Sequence, residues 1–206
     1  MKERGICMSG PMVLALKAGR KTVTRRIVKR QHVLAETLSA DPRSPTGFAW
    51  SNGWVERCRY VPGDLLYIRE ACWMWGAWRK NGLTKTGRQR WRFRPRGLCV
   101  VYERPQVTAK RDGSIGWVYR HARYMPKKCA RTWLEVTDVR VQQVQGLDNN
   151  EALAEGTPDI RTIDNNFDMR DCFGVLWDDI HGPGAWERNN WCWALSFELI
   201  EKETAK

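Results

Sequence analysis

The 206-residue chain is predicted to fold as an α+β protein, strands with a few flanking helices, on three observations. Helix punctuation stands at Ser9-Gly10-Pro11 with Gly19, and again at Asp148-x-x-Glu151 with Gly156. Strand-type alternation recurs at Leu65–Glu70, Arg131–Val144 and Trp191–Phe197. The length suffices for one well-filled core, so residues 1–206 are read as a single domain.

Gly5 to Met8 is read as a short strand feeding a helix over Pro11 to Leu16, which Gly19 ends in a left-handed conformation. The next stretch, Gly19-Arg20-Lys21-Thr22-Val23-Thr24-Arg25-Arg26, holds four cations and two hydroxyls in eight residues. Such a set suits a phosphate or a polar ring; a solvated basic loop is the plainer reading. Ile27-Val28 continues as strand, and the pattern dissolves from Lys29 to Asn52, around the breaker cluster Asp41 to Gly47. Val61-Pro62-Gly63-Asp64 is a turn before the strand Leu65–Glu70, where Arg69 and Glu70 point to opposite faces.

Trp73, Trp75 and Trp78 lead into a Gly-Leu-Thr-Lys-Thr-Gly loop and then Arg88-Gln89-Arg90-Trp91-Arg92-Phe93-Arg94. Strand alternation puts Arg88, Arg90, Arg92 and Arg94 on one face, about 6.6 Å apart, close to a phosphate repeat. An edge strand that uses charge against aggregation is the competing reading, but that needs one or two charges, not four. Leu98 to Glu103 reads as a buried strand, and Arg131 to Val144 as a long one with a bulge near Thr137-Asp138. Asp148 and Glu151 form a capping box, and Glu151 and Glu155 share a helix face. A last helix over about Asn166 to Ile180 buries Phe173, Leu176, Trp177 and Ile180, and Trp191 and Trp193 belong to the core.

The formal net charge is +12, and it is concentrated. Between Ala71 and Leu134 sixteen Lys or Arg face only Glu103 and Asp112, a net of +14. A one-sided field of that size implies a polyanionic partner, nucleic acid above all. Seven dispersed cysteines without a C-x-x-C pair read as thiols in a reducing cytoplasm. His32, His121 and His181 match no zinc spacing, so neither metal nor cofactor is expected. No segment approaches the roughly 18 apolar residues of a membrane span.

The motif Gly19-Arg20-Lys21-Thr22-x-Thr24-Arg25-Arg26 after a helix resembles the signature of the ASCH family, a branch of the PUA-like fold. Gly63–Glu70, Met125-Pro126-Lys127, Glu151–Gly156 and Trp177-Asp178 follow in family order, and the chain is similar to the larger phage and prophage ASCH-like proteins. The resemblance implies an α+β, PUA-like mixed β-barrel with a few flanking helices, closed by the Trp191–Phe197 strand. It also implies insertions at about 29–60 and 76–123. In the small ASCH amidohydrolases that deacetylate acetylated cytidine, the matching positions are catalytic, which implies Lys21, Thr24 and Glu155 here. Arginines crowding Lys21 would lower its pKa and favour a neutral base, Thr24 would attack the amide, and Glu155 would orient the lysine or protonate the leaving amine. Nucleic-acid or substrate contacts are expected at Arg20, Arg25, Arg26, Arg69, Glu70, Trp73, Arg88, Arg90, Arg92, Arg94 and Lys127, with Glu70 rather than Arg69 facing the pocket. The expected partner is nucleic acid, RNA ahead of DNA, or a nucleoside. A ribonuclease, a reader of modified DNA bases and an inhibitor of a host nucleic-acid enzyme are the alternatives.

Overall fold

The computed structural model describes residues 1–29, 31, 38–40, 47–50, 55–160 and 168–201. Their order is β1 (Glu3–Cys7), α1 (Gly10–Lys17), β2 (Val23–Ile27), β3 (Leu38–Ala40), β4 (Gly47–Trp50), β5 (Val55–Arg57), β6 (Leu65–Arg69), β7 (Cys72–Leu83), β8 (Gln89–Val101), β9 (Ile115–Arg120), β10 (Trp133–Gln143), α2 (Asn149–Ala154), α3 (Met169–His181) and β11 (Trp191–Ile200). The α+β class stands. The sheets run β1-β6-β10-β11-β2, β3-β4-β5 and β8-β7-β9. With β1 and β2 at its two edges, the five-stranded sheet is open, and the closed barrel expected from the resemblance does not form among the described residues.

The expected structureless segment from Lys29 to Asn52 contains strands β3 and β4, which β5 completes as an antiparallel meander. The breaker cluster at 41–46 lies outside the described residues. The chain divides into two compact units: one of Met1–Arg4, Leu14–Leu66 and Trp133–Glu203, the other centred on Gly5–Val13 and Tyr67–Thr132.

In the first unit Gly19 ends α1 at φ 71°, as its sequence position requires. β10 pairs with β11 and slips register between Val136 and Asp138. That bulge returns Val139 to the buried face of Leu134 and Val136. Asp148 caps α2 by accepting from the Glu151 amide. The reciprocal half of the expected capping box is missing, because the Glu151 carboxylate is engaged elsewhere. Gly156 follows α2 at φ 73°, with a Cβ there only 2.9 Å from the Cβ atoms of Ala15 and Lys21. α3 carries a complete capping box of Asp168 and Asp171. It buries Met169, Cys172, Phe173 and Trp177 against Val144, Leu147, Ala152 and Cys192. Ile180, expected in that stripe, is 60% exposed in the last turn of α3.

In the second unit β7 is the centre of a three-stranded antiparallel sheet. The hairpin to β8 is turned by Thr84 to Arg88, with Gly87 at φ 75° and the Thr84 hydroxyl accepting from the Arg88 amide at 3.0 Å. Leu98–Glu103 is not a separate strand; its first residues continue β8, which runs for 13 residues.

Candidate functional site

The first cluster lies in the first unit, where β2 meets α2. Lys21, Arg25, Glu155 and Thr24 are all buried, each at 4% exposure or less. The Lys21 Nζ donates to Val23 O at 2.8 Å, Glu155 O at 2.7 Å and Glu155 Oε2 at 2.8 Å. All three ammonium protons are thereby used. Arg25 spans the carboxylate of Glu151 in α2 and that of Glu155, which caps its C-terminal end, donating to Glu155 Oε1 at 3.0 Å and Glu151 Oε2 at 2.7 Å. Glu151 also accepts from Gln142 and pairs with Arg140 at 3.0 Å, which is why it leaves its own helix cap.

The helical i, i+4 spacing brings both carboxylates to one face, as the sequence suggests, and strand alternation brings Lys21 and Arg25 to meet them. Thr24 alternates to the opposite face of β2 from Arg25, and no ammonium proton of Lys21 remains for its hydroxyl. The cations expected to act together as an anion receiver are divided: Lys21 and Arg25 turn inward, Arg20 is exposed and Arg26 half-buried. Burial costs an unpaired cation several kcal/mol, so the inward pair takes carboxylate partners. The Lys21 pKa is lowered, chiefly by burial; Glu155 opposes that, and the arginines invoked from sequence, Arg26 and Arg25, add only the smallest contributions.

Glu70 is buried in the second unit and holds Arg131 by two bonds, at 2.9 and 2.7 Å. Arg131 lies over the Tyr102 ring at 3.6 Å, and Tyr102 donates to Cys129 O at 2.7 Å. Glu70 is therefore an internal clamp on the Met125–Ala130 segment instead of an open pocket residue. Burial and the nearby Glu70 push the Tyr102 hydroxyl up to about 12. Arg69 is half-buried, donates to the Tyr67 hydroxyl at 2.6 Å and packs over that ring. Lys127 is exposed in a short 3₁₀ turn.

The second cluster is the outer face of the β8-β7-β9 sheet. The pairs Arg79↔Arg92 and Ala77↔Arg94 on one side of β7 continue as Ala77↔Ile115, Trp75↔Trp117 and Trp73↔Tyr119 on the other. Cross-strand partners share a face, so arginines and aromatic rings lie on one surface. Arg79, Arg90, Arg92 and Arg94 are exposed, and among the described residues no carboxylate pairs with them. Arg88 is exposed just before β8. Trp73 packs edge-to-face with Tyr119 at 5.5 Å, Trp75 with Trp117 at 5.4 Å, and Tyr119 with His121 at 5.5 Å. The opposite face holds Trp78 and Phe93, with Arg120 over both. His121 also borders a shallow cavity of about 410 Å³ lined by Met8, Ser9, Ala71 and Arg123 among others.

Sequence reasoning selects Trp73 and the β8 arginines but misses Arg79, Trp117, Tyr119 and His121. The alternation of Trp117 and Tyr119 was visible, whereas their neighbours depend on strand order and register. Among the described residues no group of His, Cys, Asp or Glu is placed to hold a metal ion, and no helix is long and apolar enough to cross a membrane.

No protein-family model matches the chain, and a search of curated proteins finds no match. Among solved structures, the crystal structure of protein EF3133 from Enterococcus faecalis V583, of the family DUF984, aligns over 100% of this chain and 84% of its own. The identity is 12% and the TM-score 0.38, a likeness too slight to carry an argument about function.

Proposed function

We propose that this protein binds nucleic acid, RNA ahead of DNA, through the arginine-bearing surface of the β7-β8 hairpin. The observation that carries the reading is the row of exposed guanidiniums at Arg90, Arg92 and Arg94, joined across the strand by Arg79. Like charges directly opposite one another destabilise a bare sheet, so Arg79 beside Arg92 has a cost that a phosphate backbone relieves. The scarcity of acids between Ala71 and Leu134 leaves that field unopposed. The preference for RNA rests on the resemblance to the ASCH family.

Binding to a labelled RNA is the test, measured as a function of salt. Each phosphate neutralised on a single strand contributes a slope of about −0.7 in log K against log salt. Replacing Arg92 and Arg94 together by glutamine should flatten the slope by about 1.4 if each holds one phosphate. A slope that is flat in the parent protein, or unchanged in the variant, removes this surface from the argument.

A second reading is amide hydrolysis on an acylated base such as acetylated cytidine, favoured by the buried Lys21–Glu155 pair at 2.8 Å. Transfer of one proton from Lys21 Nζ to Glu155 would leave a neutral amine and a carboxylic acid, the base and acid that such a reaction uses. The amine would take the Thr24 hydroxyl proton as the oxygen attacks the acyl carbon, and Glu155 would protonate the departing amine; water would then cleave the Thr24 ester, giving one proton to Glu155 while Lys21 returns one to the Thr24 oxygen. This requires the ammonium to leave Val23 O and turn toward Thr24. Mass-spectrometric turnover of acetylated cytidine by the parent protein, lost in Lys21→Ala, supports it; no release of cytidine rejects it.

A further inference from the structure

We infer that the β8-β7-β9 face is built for single-stranded nucleic acid, with phosphates on its arginine half and unpaired bases on its aromatic half. The inference rests on the nucleic-acid reading above and adds the form of the ligand. Along β7 the outer face runs Arg79, Ala77, Trp75, Trp73, a span of about 20 Å at the usual rise per residue. The small, buried Ala77 separates a basic half from an aromatic one, so the surface changes chemistry along one strand direction. On the aromatic half Tyr119 is 47% exposed and Ile115 41% exposed, while Trp73, Trp75 and Trp117 are half-buried and held edge-to-face. Rings fixed in this way cost little further ordering when a base stacks on them.

A duplex buries its base faces in its own stack and presents phosphates alone to a flat sheet. It would occupy the arginines and leave the aromatic half without a partner. A single strand presents both phosphates and ring faces, and aromatic platforms beside basic grooves recognise it with little regard to sequence. The row does not stop at Tyr119, since His121 continues it to the edge of the cavity near Ser9 and Arg123. Arg120 and Arg111 are stacked on the opposite face over Trp78, so they do not compete for this ligand.

The test compares a short labelled RNA strand with the blunt duplex of the same sequence, for the parent protein, Tyr119→Ala, Tyr119→Phe and the Arg92, Arg94 double glutamine variant. Single-strand binding should be at least tenfold tighter than duplex binding. Tyr119→Ala should lose roughly tenfold on the single strand and nothing on the duplex, Tyr119→Phe should restore most of that loss because its ring stacks in the same way, and the double glutamine variant should weaken binding of both forms. Circular-dichroism melts of both Tyr119 variants establish that they are folded. Equal affinity for the two forms, or indifference to Tyr119→Ala, overturns the single-strand inference and leaves nucleic-acid binding standing. Absence of binding to both forms at low salt overturns the underlying reading as well.

Discussion

Glu155 accepts from Lys21 on one oxygen and Arg25 on the other, and all three side chains are shielded from water. Removing the carboxylate leaves two buried cations with Glu151 as their remaining acid. Glu155→Ala is expected to lower unfolding free energy by about 3–5 kcal/mol, read by urea denaturation. A loss under about 1 kcal/mol would mean that the cations reach water and the cluster is far softer than its geometry. Asp64 is a second buried charge. It accepts from the Lys2 amide at 2.8 Å and from Arg4 Nε at 2.9 Å, tying the start of β1 to the turn before β6. Burial alone would raise its pKa, but the Arg4 and backbone bonds together hold it below the ordinary 3.8. The unfolded chain therefore binds the proton first, and the stabilisation is present above pH about 4 and fades as pH falls through the folded-state value. Acid titration of the parent against Asp64→Asn checks this: the variant should lose part of the acid-side decline, and identical acid limbs would contradict it.

At the scale of elements, the punctuating residues perform as their chemistry demands. Gly19 and Gly156 take positive φ where helices end, and Asp148 caps α2. α3 is the clearest case, because Asp168 and Asp171 satisfy each other's backbone amides and start the helix at Met169, beyond the expected Asn166. Asp168→Ala should destabilise the protein by about 1 kcal/mol, measured by thermal melting, and an unchanged melt would show that the first turn of α3 contributes nothing. The arginine–tryptophan alternation of β8 was also legible, since a period of two is local. Its union with Trp73, Trp117 and Tyr119 was not, because cross-strand neighbours follow from register, which the hairpin and the β7–β9 pairing set.

Across the whole molecule the charge is the dominant property. The whole chain carries +12, and the stretch from Ala71 to Leu134 alone carries +14, a field that reaches anions at a distance greater than any contact. For the proposed RNA binding, the association rate should therefore fall several-fold between low and physiological salt, measured by stopped-flow quenching of tryptophan fluorescence; a rate indifferent to salt would mean that the basic surface plays no part in encounter. The same scale separates what was readable in the chain from what was not. The α+β class, the ends of α1 and α2, the bulge in β10 and the concentration of positive charge are all legible in the chain, because they are properties of neighbouring residues or of composition. Long-range packing, by contrast, turns Lys21 and Arg25 away from solvent, sets Glu70 against Arg131 and leaves the five-stranded sheet open. Each of those outcomes depends on a partner more than 60 residues away or on which strand lies at an edge. A buried charge must find its counter-ion wherever the fold brings one, and no local pattern records where that will be.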